Sequence, residues 1–219
     1  MALNLQFLSR KIMLEELSNS KNFKDALSHQ KNYLVKGNNI GSNCKIANSV
    51  SLINSKNIFI GNDVIIEDSV LLNAEFGKGI YIEDNVTIKR FSTITSSGYG
   101  FPGGFVKIAK GSHIGTLNVL TVHAGLDIGN NCLLGPFVSI NGYSHKFDQK
   151  DELIKRQGEK SNPIKIGNDV YIATRSSVIK GDIGDGCVIS AHSLVNKDFK
   201  PFSIIRGLPA KFVKFRYEK

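Results

Sequence analysis

Aliphatic side chains recur every six residues along the chain from residue 40 to 197. The lead positions are Ile40, Ile46, Leu52, Ile58; then Ile60, Ile66, Leu72; then Ile82, Ile88, Ile94. They continue as Ile108, Ile114, Leu120, Leu126; Ile128, Leu134, Ile140; Ile166, Ile172, Val178; and Ile183, Ile189, Val195. Because each phase is chosen to fit, the independent check is the fifth position of the hexad. It holds Cys44, Val50, Val64, Val70, Val86, Ser92, Cys132, Val138, Val170, Ser176, Cys187 and Ser193, each small or β-branched, while Asn118 breaks the rule. A helix turning every 3.6 residues rotates a six-residue stripe off any one face. A short strand followed by a corner keeps it, with two inward side chains four residues apart. The segments GNDV, EDNV, GNNC and GDGC supply the Gly, Asn and Asp that tolerate left-handed backbone at such corners. Three sides make a triangular coil of about 18 residues, and stacking at roughly 4.8 Å pairs each backbone group with a neighbouring coil. The pattern therefore predicts a mainly β fold, a parallel β-helix with one continuous core.

Two stretches interrupt the repeat. One is TSSGYGFPGGFVK at 95–107, rich in glycine and aromatics, and the other runs from 141 to 163. Loops of this length inside a compact domain are functional or a sign of misassignment. Since the hexads resume at Ile166, the loops are real, and insertions in solenoids cluster on a binding face. The ends differ from the middle. Leu5, Leu8 and Ile12, then Phe23 and Leu27, have helical spacing, so residues 1–36 read as a short helical cap over the first coil. The β-helix is expected over 37–199, and 200–219, ending AKFVKFRYEK, as a final strand or tail.

Composition narrows the class. At 219 residues the chain can bury a real core, and no run of about 18 apolar residues offers a membrane span. Arg10, Lys11, Glu15 and Glu16 interrupt any leader-like core, which gives a soluble, cytoplasmic protein as the expectation. The net charge of +9 favours an anionic partner such as a phosphorylated small molecule, against the plain alternative of a solvated lysine-rich surface. The three cysteines fit neither a disulfide framework nor a zinc pattern, and all fall on the inward fifth position as small buried hydrophobes.

Histidine is the residue type most suited to proton transfer near neutral pH. Of the five, His29 reads as a surface residue of the helical segment, His113 as an exposed corner and His192 as pointing out of its coil. His145 stands apart. It follows the last inward isoleucine, Ile140, by five residues, where the chain has just left the coil at the mouth of the long insertion. Asp148, three residues on, could orient its ring, as could a backbone carbonyl.

From residue 40 to 213 the sequence resembles the hexapeptide-repeat acyltransferases, and sugar O-acetyltransferases among them. The resemblance rests on some twenty hexads, on Gly135, Pro136 and Val138 followed by NGYSHKFD, and on a C-terminal signature. That signature reads Tyr171, Ile172, Ala173; Ser190, Ala191; Lys197, Asp198; and Gly207, Pro209, Ala210, Lys211. The resemblance implies a left-handed helix, a homotrimer, and transfer of an acetyl group from acetyl-coenzyme A to a sugar hydroxyl, without metal and without nucleic acid. It assigns His145 as general base. It implies a coenzyme A groove drawn from Tyr171, Ala173, Thr174, Ala191, Lys197, Arg206, Gly207 and Lys211, with the cations toward the phosphates. Asn118 and His123 match a coil that offers Asn and an acidic residue to the acceptor in sugar acetyltransferases; here histidine replaces the acid. Two further departures are Asn196, where Thr is frequent, and the coil from Val178 to Ile183, one residue short. Competing readings are N-acetylation of a nucleotide-linked amino sugar, acetylation of serine or of a drug, a zinc enzyme of the carbonic anhydrase type, and a scaffold without catalysis.

Overall fold

The computed structural model describes residues 39–96 and 103–217. The helical cap expected over 1–36 and the centre of the first interruption lie outside the described residues. Among those described, three sheets of nine, seven and five strands form, one per side of the coil, parallel throughout except for the last strand of the nine. The chain visits the five-, nine- and seven-stranded faces in that order, as in Ile58–Ile60, Ile65–Ile66 and Leu71–Asn73. Registers are unbroken between coils: Leu120 lies over Ile94 and under Ile140, and Ile114 lies between Ile88 and Leu134. All six are fully buried. At about 1.5–3 kcal/mol for each buried Ile or Leu, these aliphatic ladders supply the driving force for a fold most of whose strands are two or three residues long.

The corners explain the remaining letters of the repeat. Where the five-stranded face turns into the nine-stranded one, Asn43, Asp63, Asn85, Asn131 and Asp169 take φ between 53° and 57°. Short polar side chains tolerate that region best after glycine. The preceding Asn or Asp column ties coil to coil: Asp84 Oδ1 accepts from the Asn62 N–H at 2.7 Å, and Asp185 Oδ1 from the Asn168 N–H at 2.7 Å. Inside, the fifth-position side chains close the corners. Ser92 Oγ donates to the Gly115 carbonyl, Cys132 Sγ to Gly167 and Cys187 Sγ to Lys200, each into the next coil. The three cysteines are free, and burial pushes the Cys132 and Cys187 thiols up, away from the reactive thiolate.

Three details differ from or refine the expectation. His113 is not at an exposed corner: it sits in the strand His113–Ile114 and is partly buried. The reason is geometric. The turn falls on the third and fourth hexad positions, so the sixth is the outward strand residue between two inward ones. Burial and the neighbouring Lys89 charge together lower its pKa. The short coil after Val178 is taken up at Gly181, φ +103°, where a Cβ would meet the Lys197 backbone at 2.3 Å. Finally, the segment after 200 adds two strands: Ser203–Gly207 stacks parallel on Val188–Ile189, and Ala210–Phe215 returns antiparallel to it.

Candidate active site

Both interruptions leave the solenoid at the corner between the seven- and five-stranded faces, one after Thr93–Thr95 and the other after Ser139–Asn141. The second is an ordered hairpin. Tyr143–His145 pairs antiparallel with Glu159–Ser161, Tyr143 opposite Ser161 and His145 opposite Glu159. Directly opposed residues of an antiparallel pair project to one side, and residues two apart in a strand share that side. One face of the ribbon therefore carries Tyr143, His145 and Glu159, while Ser144 and Lys160 take the other. The far end of the loop is organised by Gln157. Its buried amide donates to the Gln149 and Glu152 carbonyls at 2.9 and 2.7 Å and accepts from the Gln149 N–H at 3.0 Å.

The ribbon face meets His123, which the coil below presents at the same corner. The Tyr143 and His123 rings stack at 3.8 Å and 8°. His123 is 7% exposed, and its Nδ1 lies 3.1 Å from Glu159 Oε2. The other carboxylate oxygen, Oε1, lies 3.7 Å from His145 Nε2. His145 itself is open to solvent, its side chain 54% exposed. A single carboxylate thus stands between a buried imidazole and an exposed one. Chemically this is an accessible base with an acidic group behind it.

The other predicted residues divide by corner. Asp148 is exposed in the loop, and the carboxylate beside His145 is Glu159 instead. Asn118 faces the core: it is wholly buried, and its Oδ1 accepts from the Val138 N–H at 2.7 Å. Ala173, Thr174 and Ala191 lie at the opposite corner, between the nine- and seven-stranded faces, with Thr174 Oγ1 donating to the Pro136 carbonyl. Gly207 ends the last parallel strand at that corner, its N–H 3.2 Å from Ser193 Oγ. Arg206 and Lys211 stand opposite each other on the terminal antiparallel pair, both exposed, and Tyr171 faces out from the nine-stranded sheet. Lys197 belongs to the same corner as His145 one turn from the end, its Nζ 5.7 Å from the Phe199 ring centre. Glu159 was missed by sequence reasoning. The available signal was the pair of short alternating segments, YSH and EKS, at the two ends of one insertion.

No family model matches the chain. It is 30% identical over 174 residues to a probable acetyltransferase of Mycobacterium tuberculosis, a match covering 78% of this chain and 54% of the relative. It is 28% identical over 181 residues to the dTDP-4-amino-4,6-dideoxy-D-glucose acyltransferase of Escherichia coli, covering 82% and 83%. Galactoside O-acetyltransferase of Escherichia coli is 29% identical over 133 residues, 57% and 64% of the two chains. The chain thus spans a little over half the length of the mycobacterial relative. Among solved structures, a variant of AntD, an N-acyltransferase from Bacillus cereus in complex with dTDP-4-amino-4,6-dideoxyglucose and coenzyme A, superimposes with a TM-score of 0.57. That match covers 82% of this chain and 84% of AntD at 19% identity, a likeness of fold. The coil is accordingly a left-handed parallel β-helix. The relatives matched here are acetyltransferases and acyltransferases, in keeping with the resemblance of the sequence to the hexapeptide-repeat acyltransferases.

Proposed function

We propose that the protein transfers an acetyl group from acetyl-coenzyme A to a hydroxyl of a sugar or polysaccharide precursor, with His145 as general base. The observation that carries this reading is His145 itself, an exposed imidazole on an ordered ribbon with a carboxylate behind it. The acceptor hydroxyl gives its proton to the ring as its oxygen attacks the thioester carbonyl. The carbon–sulfur bond then breaks, and the imidazolium returns that proton to the departing thiolate. Base catalysis of this kind is typically worth about 10²–10⁴-fold.

Ala173, Ala191 and Gly207 suit the coenzyme's extended arm, because small side chains leave backbone amides within reach. Arg206 and Lys211, both exposed, suit its phosphates. These groups occupy a different corner of the coil from His145, so one chain holds the base and the groove apart. We therefore propose a homotrimer in which one subunit's groove lies against the next subunit's ribbon. An apolar ridge supports a covered corner: Phe91, Leu117 and Phe137 stack in successive coils beside the groove, 52%, 40% and 48% exposed, at φ near 60°. Left-handed backbone costs such residues roughly 1–2 kcal/mol each.

The test is thiol release from acetyl-coenzyme A against a panel of galactosides, oligosaccharides and nucleotide-linked amino sugars. At least one sugar should stimulate release, and His145→Ala should lower the turnover by about 10²–10⁴-fold. Undiminished turnover in that variant would sink the base assignment. N-acetylation of a nucleotide-linked amino sugar is the second reading, favoured by the 28% identity to the dTDP-amino-sugar acyltransferase over most of both chains. Stimulation by the amino sugar alone would select it.

A further inference from the structure

We infer that Glu159 is the positioning residue of the site: its carboxylate fixes the His145 ring and sets which of its nitrogens is the base. The inference rests on the acetyl-transfer reading for its consequence, and on geometry for its substance. Glu159 is itself held. Its Oε2 takes the Nδ1 proton of His123 at 3.1 Å, and His123 is buried and stacked face to face on Tyr143. One carboxylate oxygen is thereby tied to the solenoid. The strand pairing then aims the other at His145, since His145 and Glu159 are directly opposed across the ribbon. The 3.7 Å between Oε1 and Nε2 is longer than a hydrogen bond, and a small rotation of the exposed ring closes it.

A neutral imidazole has one N–H and one lone pair, and the hydrogen bond at one nitrogen decides where the other's lone pair lies. With Nε2–H directed at Glu159, Nδ1 keeps the lone pair and faces the acceptor. When Nδ1 takes the acceptor's proton, the ring becomes cationic, and the carboxylate a few ångströms away stabilises that charge without itself accepting a proton. His123, donating from Nδ1 and enclosed, keeps the carboxylate from swinging away. This also gives a physical account of why histidine stands at position 123: it anchors the carboxylate of the ribbon.

A merely structural Glu159 would act through its hydrogen bond to His123, and glutamine keeps that bond while removing the charge. The experiment therefore compares Glu159→Gln with Glu159→Asp in the full chain, with Lys160→Ala, on the other side of the ribbon, as control. Glu159→Gln should retain the wild-type melting temperature and the KM for acetyl-coenzyme A while kcat falls by about 10–100-fold. Glu159→Asp should recover part of the loss, and Lys160→Ala should leave turnover unchanged. Wild-type kcat in Glu159→Gln, or a loss confined to KM, overturns the proposal. A second readout is independent of turnover. In [15N]histidine-labelled protein, Glu159→Gln should move the Nε2 resonance of His145 together with Nδ1 of His123 and leave His192 in place. An unmoved His145 overturns the pairing. If no acceptor of the panel stimulates thiol release by the wild-type protein, the acetyl-transfer reading fails by itself, and the nitrogen shifts still decide whether Glu159 holds His145.

Discussion

At Asn118 the chain puts a primary amide where neighbouring coils have serine or valine. The amide works as an interior fastener: its oxygen takes the Val138 N–H of the coil above. Asn118→Ala orphans that buried donor and should cost about 1–3 kcal/mol in chemical denaturation, with acceptor KM unchanged. Glu67 gives a second test at this scale. Its hydrogen bond to Lys89, aided by Arg90, holds its pKa below the ordinary carboxylate value. A depressed folded pKa contributes stability that is present above the unfolded value and lost as pH falls through the folded one. Glu67→Gln should therefore lower stability at neutral pH, where the ionised carboxylate is paired, and flatten the acid limb of the stability curve. Single residues were legible where the repeat dictates them. Cys132 and Ser92 could be assigned inward from spacing alone. Asn118 could not be told from a ligand, because polarity inside a coil and polarity at a site look alike in a string of letters.

The long insertion is the element that carries the proposed base, His145. Its boundaries were plain, since the hexads stop at Ile140 and resume at Ile166. Its form was not: three-residue polar strands carry too little alternation to register, and the pairing of His145 with Glu159 spans the whole loop. That is why Asp148, close in sequence, presented itself as the partner while the nearby carboxylate came from the return strand. Gln157 holds the loop's far end through three hydrogen bonds. Gln157→Ala should loosen the loop without loosening the solenoid. The expected result is faster amide exchange across 146–158, an unchanged global melting temperature and a severalfold drop in turnover.

For the molecule as a whole, stacking alone follows from the repeat, and the coil order, the three faces and the continuous core were all readable. The repeat says nothing of association, because the ridge of Phe91, Leu117 and Phe137 belongs to the hexads' outward positions, on which the inward pattern is silent. If that ridge lies between subunits, Phe137→Asp should yield monomers in sedimentation and abolish turnover although His145 is untouched. A trimer that survives the charge would move the interface elsewhere.

The insertion leaves and returns through a single gate. Gly142 accepts at its carbonyl from both the Asn162 N–H, at 2.9 Å, and Ser161 Oγ, at 3.1 Å. A Cβ there would strike Asn162 and Val122 at 2.7 Å. A side trip pinned at its neck can be lengthened, shortened or exchanged without disturbing the register of a single coil. The molecule is in that sense a frame with a replaceable cassette. Descent could rewrite the chemistry of this chain by recombining some twenty residues, while the remainder was inherited unaltered.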